Sequence, residues 1–432
     1  MQKRVVRTIV VLFSLAFALT QGFAQRTIIH AGHMADGVAD EFQKDVSIII
    51  ENGKIASVEK GFTSASSGDE VIDLKQKYVM PGLMDMHTHV TGETKKGGYI
   101  DRFQNYPQDV VLQSLKYLKR TLMAGFTTVR NVGSGSEFLG ISLRNAVRRG
   151  DIVGPRMFVA GNSLAVLGGH GDGTNSFRED ILPVPTAEQG IVSGVESARR
   201  ATLLQIKRGS DVIKITATAG VLSLAANGST PQFTEEEIRV IVETARDFGK
   251  KVCAHAHGAE GLKRAVRAGV ASIEHGTYID DEGMKLMREM GCYLVPTITA
   301  GKSVADSAKI EGYYHPFVTP KALEIGPLMQ DMFRRAYKAG VPIAFGTDAG
   351  VFRHGVNAIE FEYMVEAGMP AMEAIKSATY HGAKLLGVED RLGTLEKGKI
   401  ADVIAVDGNP EEDIKTMMNV TFVMKDGVVY KQ

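Results

Sequence analysis

Met86-His87-Thr88-His89 places two histidines two residues apart, at the end of an apolar run that follows a Pro81-Gly82 turn. On a strand, side chains at i and i+2 share a face. An extended 86–89 therefore aims both imidazoles the same way, and a pair of neutral imidazoles is a good grip for a divalent metal. The H-x-H pattern alone is weak, since a structural or surface pair shares it. Four more residues of suitable chemistry close later strand-like runs: Lys214 in DVIKITAT, His255 in VCAHAH, His275 in SIEHG and Asp348 in FGTDAG. Each has an ordinary alternative. Lys214 could snorkel to the surface, His275 could be a hydrogen-bonded core histidine, and Asp348 could cap a helix. That ordinary account must hold independently at every one of these positions, which favours a metal site.

Residues spread this widely need a scaffold that gathers strand ends. The runs GLMDMHTHV, GFTTVRNV, RMFVAGN, DVIKITAT, KVCAHAH, SIEHG, YLVPTI and PIAFGTD read as strands, separated by helical stretches such as 109–124 and 235–248. Strand and helix alternating in this way predict an α/β chain and a (β/α)₈ TIM barrel, whose active sites form at the C-terminal strand ends. The segment 26–74 has another texture: RTIIHAG, VSIIIENGKIASVEKG and VIDLKQKYV, with a hairpin signal at Asn52-Gly53. GTLEKGKIADVIAVDG and VTFVMKDGVVY, with a turn at Asp426-Gly427, repeat it near the other terminus. The two ends are expected to form one small β-sandwich domain. The expected divisions are 1–24 a signal peptide, 25–79 and 389–432 the β-sandwich, and 80–388 the (β/α)₈ barrel. A lid or loop excursion is expected over 301–327.

The chain has 432 residues, enough for a barrel of about 250 residues and a companion. A hydrophobic content of 44% with 23% charged residues is that of a folded soluble protein. Lys+Arg and Asp+Glu are both 50, so the basic field that nucleic-acid binding requires is absent. Lys3, Arg4 and Arg7 precede an apolar run over 9–18, and Gly22-Phe23-Ala24 supplies small residues for cleavage. This predicts a signal peptide and a periplasmic or secreted protein, with no stable membrane span after its removal; the run is short for an anchor. No Cys follows the run, which excludes lipid attachment at a new N-terminal Cys. Cys253 and Cys292 lie in apolar runs and are expected as buried free thiols.

In the order H-x-H, Lys, His, His, Asp, the chain resembles the binuclear-metal branch of the amidohydrolase superfamily, over essentially everything after the signal segment. The resemblance implies that His87, His89 and Asp348 bind one ion and His255 and His275 a second. It implies that Lys214 is carboxylated by CO₂ and bridges both as an anionic carbamate, which burial between two cations stabilises. Two divalent ions, zinc foremost, are the implied cofactors. A water shared by the ions becomes acidic enough to supply hydroxide, and Asp348 carries its proton to the leaving amine. The runs PGLMDMHTH, AGFTTVRNVG, GGHGD, HAHG, IEHG, GTDAG and SATYHGAKLLG are similar to the Xaa-Pro dipeptidase (prolidase-like) and arginine/lysine carboxypeptidase group, and to ochratoxin-degrading amidases. That likeness implies dipeptide or N-acyl amino acid substrates, cleaved beside a free carboxylate. His170, His257, Arg353 and His354 are the candidate substrate contacts, each of which could instead be a solvated loop residue. A homo-oligomer is expected. Two other readings remain at this point. One is a cyclic-amide or imidazolonepropionase-like hydrolase, although the latter uses one metal and lacks the bridging lysine. The other is a catalytically dead periplasmic binding protein on the same fold, which metal content would distinguish.

Overall fold

The computed structural model describes residues 26–133, 138–224 and 227–432; the expected signal segment 1–24 lies outside them. The chain starts with β1 (Thr27–Met34), β2 (Gln43–Glu51), β3 (Lys54–Lys60) and β4 (Glu70–Pro81). β2 and β3 form a hairpin across Asn52 and Gly53, whose φ values of 53° and 74° are the left-handed pair a two-residue turn requires. β1 lies antiparallel to β2 and parallel to β4.

The middle of the chain is parallel. β5 (Leu83–Thr88), β6 (Phe126–Asn131) and β7 (Arg156–Val159) make a three-stranded sheet, and β8 (Ala165–Val166) and β9 (Ile191–Val192) a short ribbon. β10 (Ile213–Thr216), β11 (Val252–Gly258), β12 (Ser272–Tyr278) and β13 (Tyr293–Val295) make a four-stranded sheet. Backbone bonds join the edges of these two sheets on both sides. On one side Asp211 N reaches Val159 O at 2.7 Å, and Leu164 N reaches Lys214 O at 2.7 Å. On the other, Leu294 N bonds Pro342 O at 2.8 Å, Met86 N bonds Phe345 O at 2.9 Å, and Asp348 N bonds His87 O at 2.8 Å. The run PIAFGTD, expected as a regular strand, is thus an extended link that serves β13 first and β5 afterwards.

Helices fill the outside and bury one stripe each. Glu235–Asp247 starts at a Thr234/Glu237 capping box and buries Ile238, Ile241 and Ala245. Ile213 and Ile215 join that core, so strand alternation turns Lys214 and Thr216 to the opposite, inner face. There Val212 and Cys253 pack with Val132 and Ala160.

The stretch 301–327, expected as a lid or loop excursion, is loop only over 309–318; the rest belongs to a helical hairpin, Ile298–Ala308 and Thr319–Lys338. Its glycines look like breaks but serve close helix packing. A Cβ on Gly326 would stand 2.4 Å from the Gly301 carbonyl oxygen, and one on Gly301 would stand 2.2 Å from Met329 Sδ. Pro320 sits in the first turn of its helix, where a missing N–H costs nothing.

β14 (Val403–Val406), β15 (Val420–Lys425) and β16 (Val428–Lys431) return to the N-terminal strands. β14 pairs antiparallel with β4, giving one seven-stranded sheet from both chain ends. The sheet curls until its hairpins meet: Ala401 N bonds Gly53 O at 2.9 Å, and Gly427 N bonds Ala401 O at 2.9 Å. Inside the curl Ile29, Ile48, Ile55, Val403 and Phe422 form a separate apolar core. Among the described residues no helix is long and apolar enough to cross a membrane.

Candidate metal centre

β5 ends on a triad. His87 Nδ1 lies 2.8 Å from Glu274 Oε2, and that carboxylate also accepts from Arg130 (2.8 Å) and from the Ser272 hydroxyl (2.6 Å). Arg130 in turn donates to the Met86 carbonyl at 2.6 Å. A carboxylate held this way accepts the Nδ1 proton and leaves the Nε2 lone pair of His87 facing the site. His89 donates from Nδ1 to the Gly133 carbonyl at 3.0 Å, with the same result. Both Nε2 atoms point at Asp348 Oδ1, at 3.5 and 3.3 Å. That oxygen is buried and accepts no hydrogen bond among the described residues. Below it Asp85 ties β5 to the 342–349 link by accepting from the Thr347 hydroxyl (2.6 Å) and Asn357 Nδ2 (2.8 Å).

A second group stands beside the first. His255 and His257 alternate onto the inner face of β11. His275 should point outward by the same rule, because Glu274 takes the inner position. Its φ of 75°, followed by Gly276 at 73°, turns the imidazole inward. Asp348 (φ 60°) and Thr297 (φ 53°) are also left-handed, and backbone strain of this kind concentrates at functional sites. Thr297 Oγ1 holds His275 Nδ1 at 2.7 Å, and Thr277 Oγ1 holds His257 Nδ1 at 2.7 Å. His255 is the exception: its Nε2 lies 3.2 Å from the Ala219 carbonyl, which only accepts, so His255 presents Nδ1. The ligand atoms of His255, His257 and His275 lie within 4.8 Å of one another, as do those of His87, His89 and Asp348. The His87 and His275 rings, 5.0 Å apart, join the two groups.

Lys214 completes the arrangement from β10. It is 3% exposed, and Nζ makes no hydrogen bond or ion pair among the described residues. Burial lowers its pKa, favouring the neutral amine that CO₂ requires. Burial also pushes His87, His255 and His275 well below the usual imidazole range, His89 to about 4 and His257 to about 3. Neutral imidazole is the form that binds metal. Asp348 is driven up to about 8 by burial, with the Lys214 charge opposing. Converging neutral imidazoles, an unbonded carboxylate oxygen and a partnerless buried amine fit a pair of divalent ions.

His170, after β8, stacks on His255 at 4.5 Å, takes a backbone bond to Gln232 Oε1 at 2.8 Å, and leaves Nδ1 without a partner among the described residues. The structure brings neither Arg353 nor His354 into these groups. Arg353 is exposed, and His354 is tied to the Gly92 carbonyl at 3.1 Å and stacked on Tyr117. Sequence reasoning missed Arg130, Glu274, Asp85 and Thr297, although a charge inside an apolar strand run was a usable signal for the first three.

Residues 78–430 match the model of the amidohydrolase family. Ochratoxinase of Aspergillus niger is 33% identical, over 94% of this chain and 87% of its own length. A crystal structure of a Xaa-Pro dipeptidase with methionine bound in its active site is 48% identical, with a TM-score of 0.91, covering 94% of this chain and 100% of that one. A prolidase complexed with N-methylphosphonate-L-proline is 31% identical, with a TM-score of 0.85 and coverage of 94% and 100%. The family match runs from β4 to β16 and takes in every strand that carries a candidate metal ligand, so the chain belongs to the amidohydrolase family and is a hydrolase acting on amide bonds.

Proposed function

We propose that this chain is a metal-dependent hydrolase that cleaves dipeptides or N-acyl amino acids at the amide next to a free carboxylate. The observation that carries the metal reading is Lys214, a buried amine with no partner beside two groups of metal-binding side chains. His87, His89 and Asp348 would hold one ion and His255 and His275 the other, with a carbamate on Lys214 as the shared anionic ligand and His257 within the second group. When bound, such ions polarise the scissile carbonyl and acidify water. Asp348 Oδ1, facing His87 and His89 without a hydrogen bond, is the atom that takes a proton and returns it to the leaving amine. Glu274, Gly133 and Thr297 keep the imidazoles in the metal-binding tautomer. His170 and His257 are the nearest candidates for the substrate carbonyl or carboxylate; Arg353 and His354 stand further out. The Xaa-Pro dipeptidase and prolidase neighbours support this substrate class.

We infer the frame in the same way. The parallel sheets, joined through Leu164 and the 342–349 link, read as a (β/α)₈ barrel over 80–388, and the curled sheet of 25–79 and 389–432 reads as a β-sandwich. Segment 1–24, with its basic start and apolar run, would export the chain to the periplasm or beyond, and the mature protein would assemble as a homo-oligomer.

The test is a matched pair of substrates, one with a free C-terminus and one amidated, on zinc-loaded protein. Amidation should lower kcat/KM about ten- to a hundredfold, the usual cost of losing a charge-assisted contact. Equal rates would move the reading to a cyclic-amide hydrolase, and protein that takes up no zinc would move it to a dead fold.

A further inference from the structure

The chain leaving β10 doubles back before the helix Glu235–Asp247: Ala219 N bonds Thr230 O and Gln232 N bonds Ala217 O, both at 2.9 Å. This fold-back touches the candidate site in three places. The Ala219 carbonyl takes the Nε2 proton of His255. Gly220 lies flat against His170, so close that a Cβ there would stand 2.4 Å from the ring. Gln232 Oε1 accepts the His170 backbone N–H. The bond that orients His255 is therefore a neutral one at 3.2 Å, made by a backbone carbonyl next to a glycine.

Its restraint comes from the helical hairpin. Lys321, in the first turn of Thr319–Lys338, is 6% exposed and donates from Nζ to the Gly220 carbonyl at 3.1 Å and to the Ser223 carbonyl at 2.7 Å. Four residues on, Ile325 lies against Gly228 on the returning limb, 3.2 Å from where a Cβ would be. Val221 packs with Val304, Ala322, Ile325 and Met329 of the hairpin. A charged donor to carbonyls in an apolar setting makes a stronger bond than the neutral one it supports.

We propose that Lys321 is a positioning residue for the metal centre. By pinning the Gly220 and Ser223 carbonyls it keeps the Ala219 carbonyl on His255 Nε2, and so fixes Nδ1 as the nitrogen His255 presents. Its influence falls on the His255–His275 half of the site, since the partners of His87, His89 and Asp348 lie on other segments. The consequence for metal binding rests on the hydrolase reading; the consequence for the loop does not.

Lys321→Met keeps an apolar stem and removes the donors, Lys321→Arg keeps a charged donor, and Lys321→Gln keeps a neutral one. Full-length variants are compared by zinc titration, by amide hydrogen exchange over 217–224, and by kcat and KM. Lys321→Met should weaken one of two zinc sites about ten- to a hundredfold, as loss of an outer support typically does. It should also speed exchange over 217–224 and lower kcat more than it raises KM, while Lys321→Arg restores most of each. Lys321→Met with both zinc sites intact and normal exchange overturns the proposal, and so does Lys321→Arg as impaired as Lys321→Met. If Lys321→Met does not fold, Lys321→Gln takes its place: it should show the same selective loss in smaller degree, and an unchanged variant refutes the role. If wild-type protein neither binds zinc nor cleaves amides, the hydrolase reading falls, and the exchange measurement still decides what Lys321 holds.

Discussion

Glu274→Gln tests the outer support of the metal centre with the smallest change in shape. Glu274 and Arg130 are at most 2% exposed and bonded at 2.8 Å, and the same carboxylate holds His87 Nδ1. The substitution keeps the volume and removes one charge, leaving the Arg130 guanidinium buried without its counterion. Breaking a buried pair from one side typically costs about 3–5 kcal/mol. In a chain of this size that corresponds to a fall in Tm on the order of 5–10 °C. The amide can also turn its NH₂ towards His87 Nδ1, which would place the imidazole proton on Nε2, the nitrogen that should face the metal. Metal affinity should therefore drop about ten- to a hundredfold. Thermal unfolding must be followed on metal-free protein, because a bound ion stabilises the native state by itself; affinity is read by competition with a chelator. Adding Arg130→Met to Glu274→Gln removes the stranded cation. The double variant should regain part of the lost stability and none of the lost metal affinity. A double variant that regains both, or a single variant that loses neither, refutes the claim that Glu274 acts on the metal through His87.

Lys214→Ala should lose most of its bound metal and activity, with partial recovery when a short carboxylic acid fills the gap; full activity without the acid would end the carbamate reading. Asp348→Asn should fold normally and lose at least about 10²-fold in kcat, the typical contribution of a general base, and a normal kcat would remove Asp348 from the proton path. Burial raises Asp85 to about 6, Glu360 to about 7 and Asp348 to about 8, each above its ordinary value of 3.8 or 4.5. Folded pKa values above unfolded ones give stability that is complete below about pH 4 and lost as pH rises through 6–8. Between pH 7 and pH 9 the histidines with lowered pKa values are largely neutral folded and unfolded alike, so metal-free protein should lose stability there through Asp348, and Asp348→Asn should flatten that fall; an unchanged slope in the variant would contradict the assignment. Gly220→Ala should displace the His170 ring and lower kcat/KM with little change in Tm, and wild-type kinetics would show that the ring has room to move.

The frame was legible where a local pattern has one structural solution. Asn52-Gly53 and Asp426-Gly427 marked the hairpins that meet across the curled sheet, and the β10 run placed Lys214 on the inner face by alternation alone. The helical hairpin over 298–338 was not legible for a physical reason. Gly301, Gly326 and Pro327 weaken a helix in isolation, and only the partner helix, close enough to clash with any added Cβ, shows why the glycines stand there. The 342–349 segment was expected as a regular strand and is instead an irregular extended link. Its divided pairing between β13 and β5 depends on both neighbours and leaves no local trace.

The site divides along the same line, with His275 and His257 as the instructive pair. Residue type singled out His275, yet strand alternation would have turned it outward; its left-handed backbone, invisible in a run such as SIEHG, reverses that. His257 shows the opposite case. The alternation that pairs His87 with His89 applies unchanged to His255 and His257, which also stand two apart on one strand. A rule applied once at 87–89 was sufficient to group them. Glu274 follows from the same alternation, because a carboxylate facing inward from an apolar strand needs a cation, and Arg130, inside the apolar run GFTTVRNV, is a buried charge with the same need. Sequence alone does not separate a ligand from a substrate contact at His257. Thr277 bears on it by holding His257 Nδ1 as Thr297 holds that of His275, at the same 2.7 Å, so that both rings turn Nε2 towards the site. If the two nitrogens serve alike, Thr277→Val and Thr297→Val should weaken zinc binding to similar extents. If His257 instead meets substrate, Thr277→Val should raise KM and leave the zinc content unchanged.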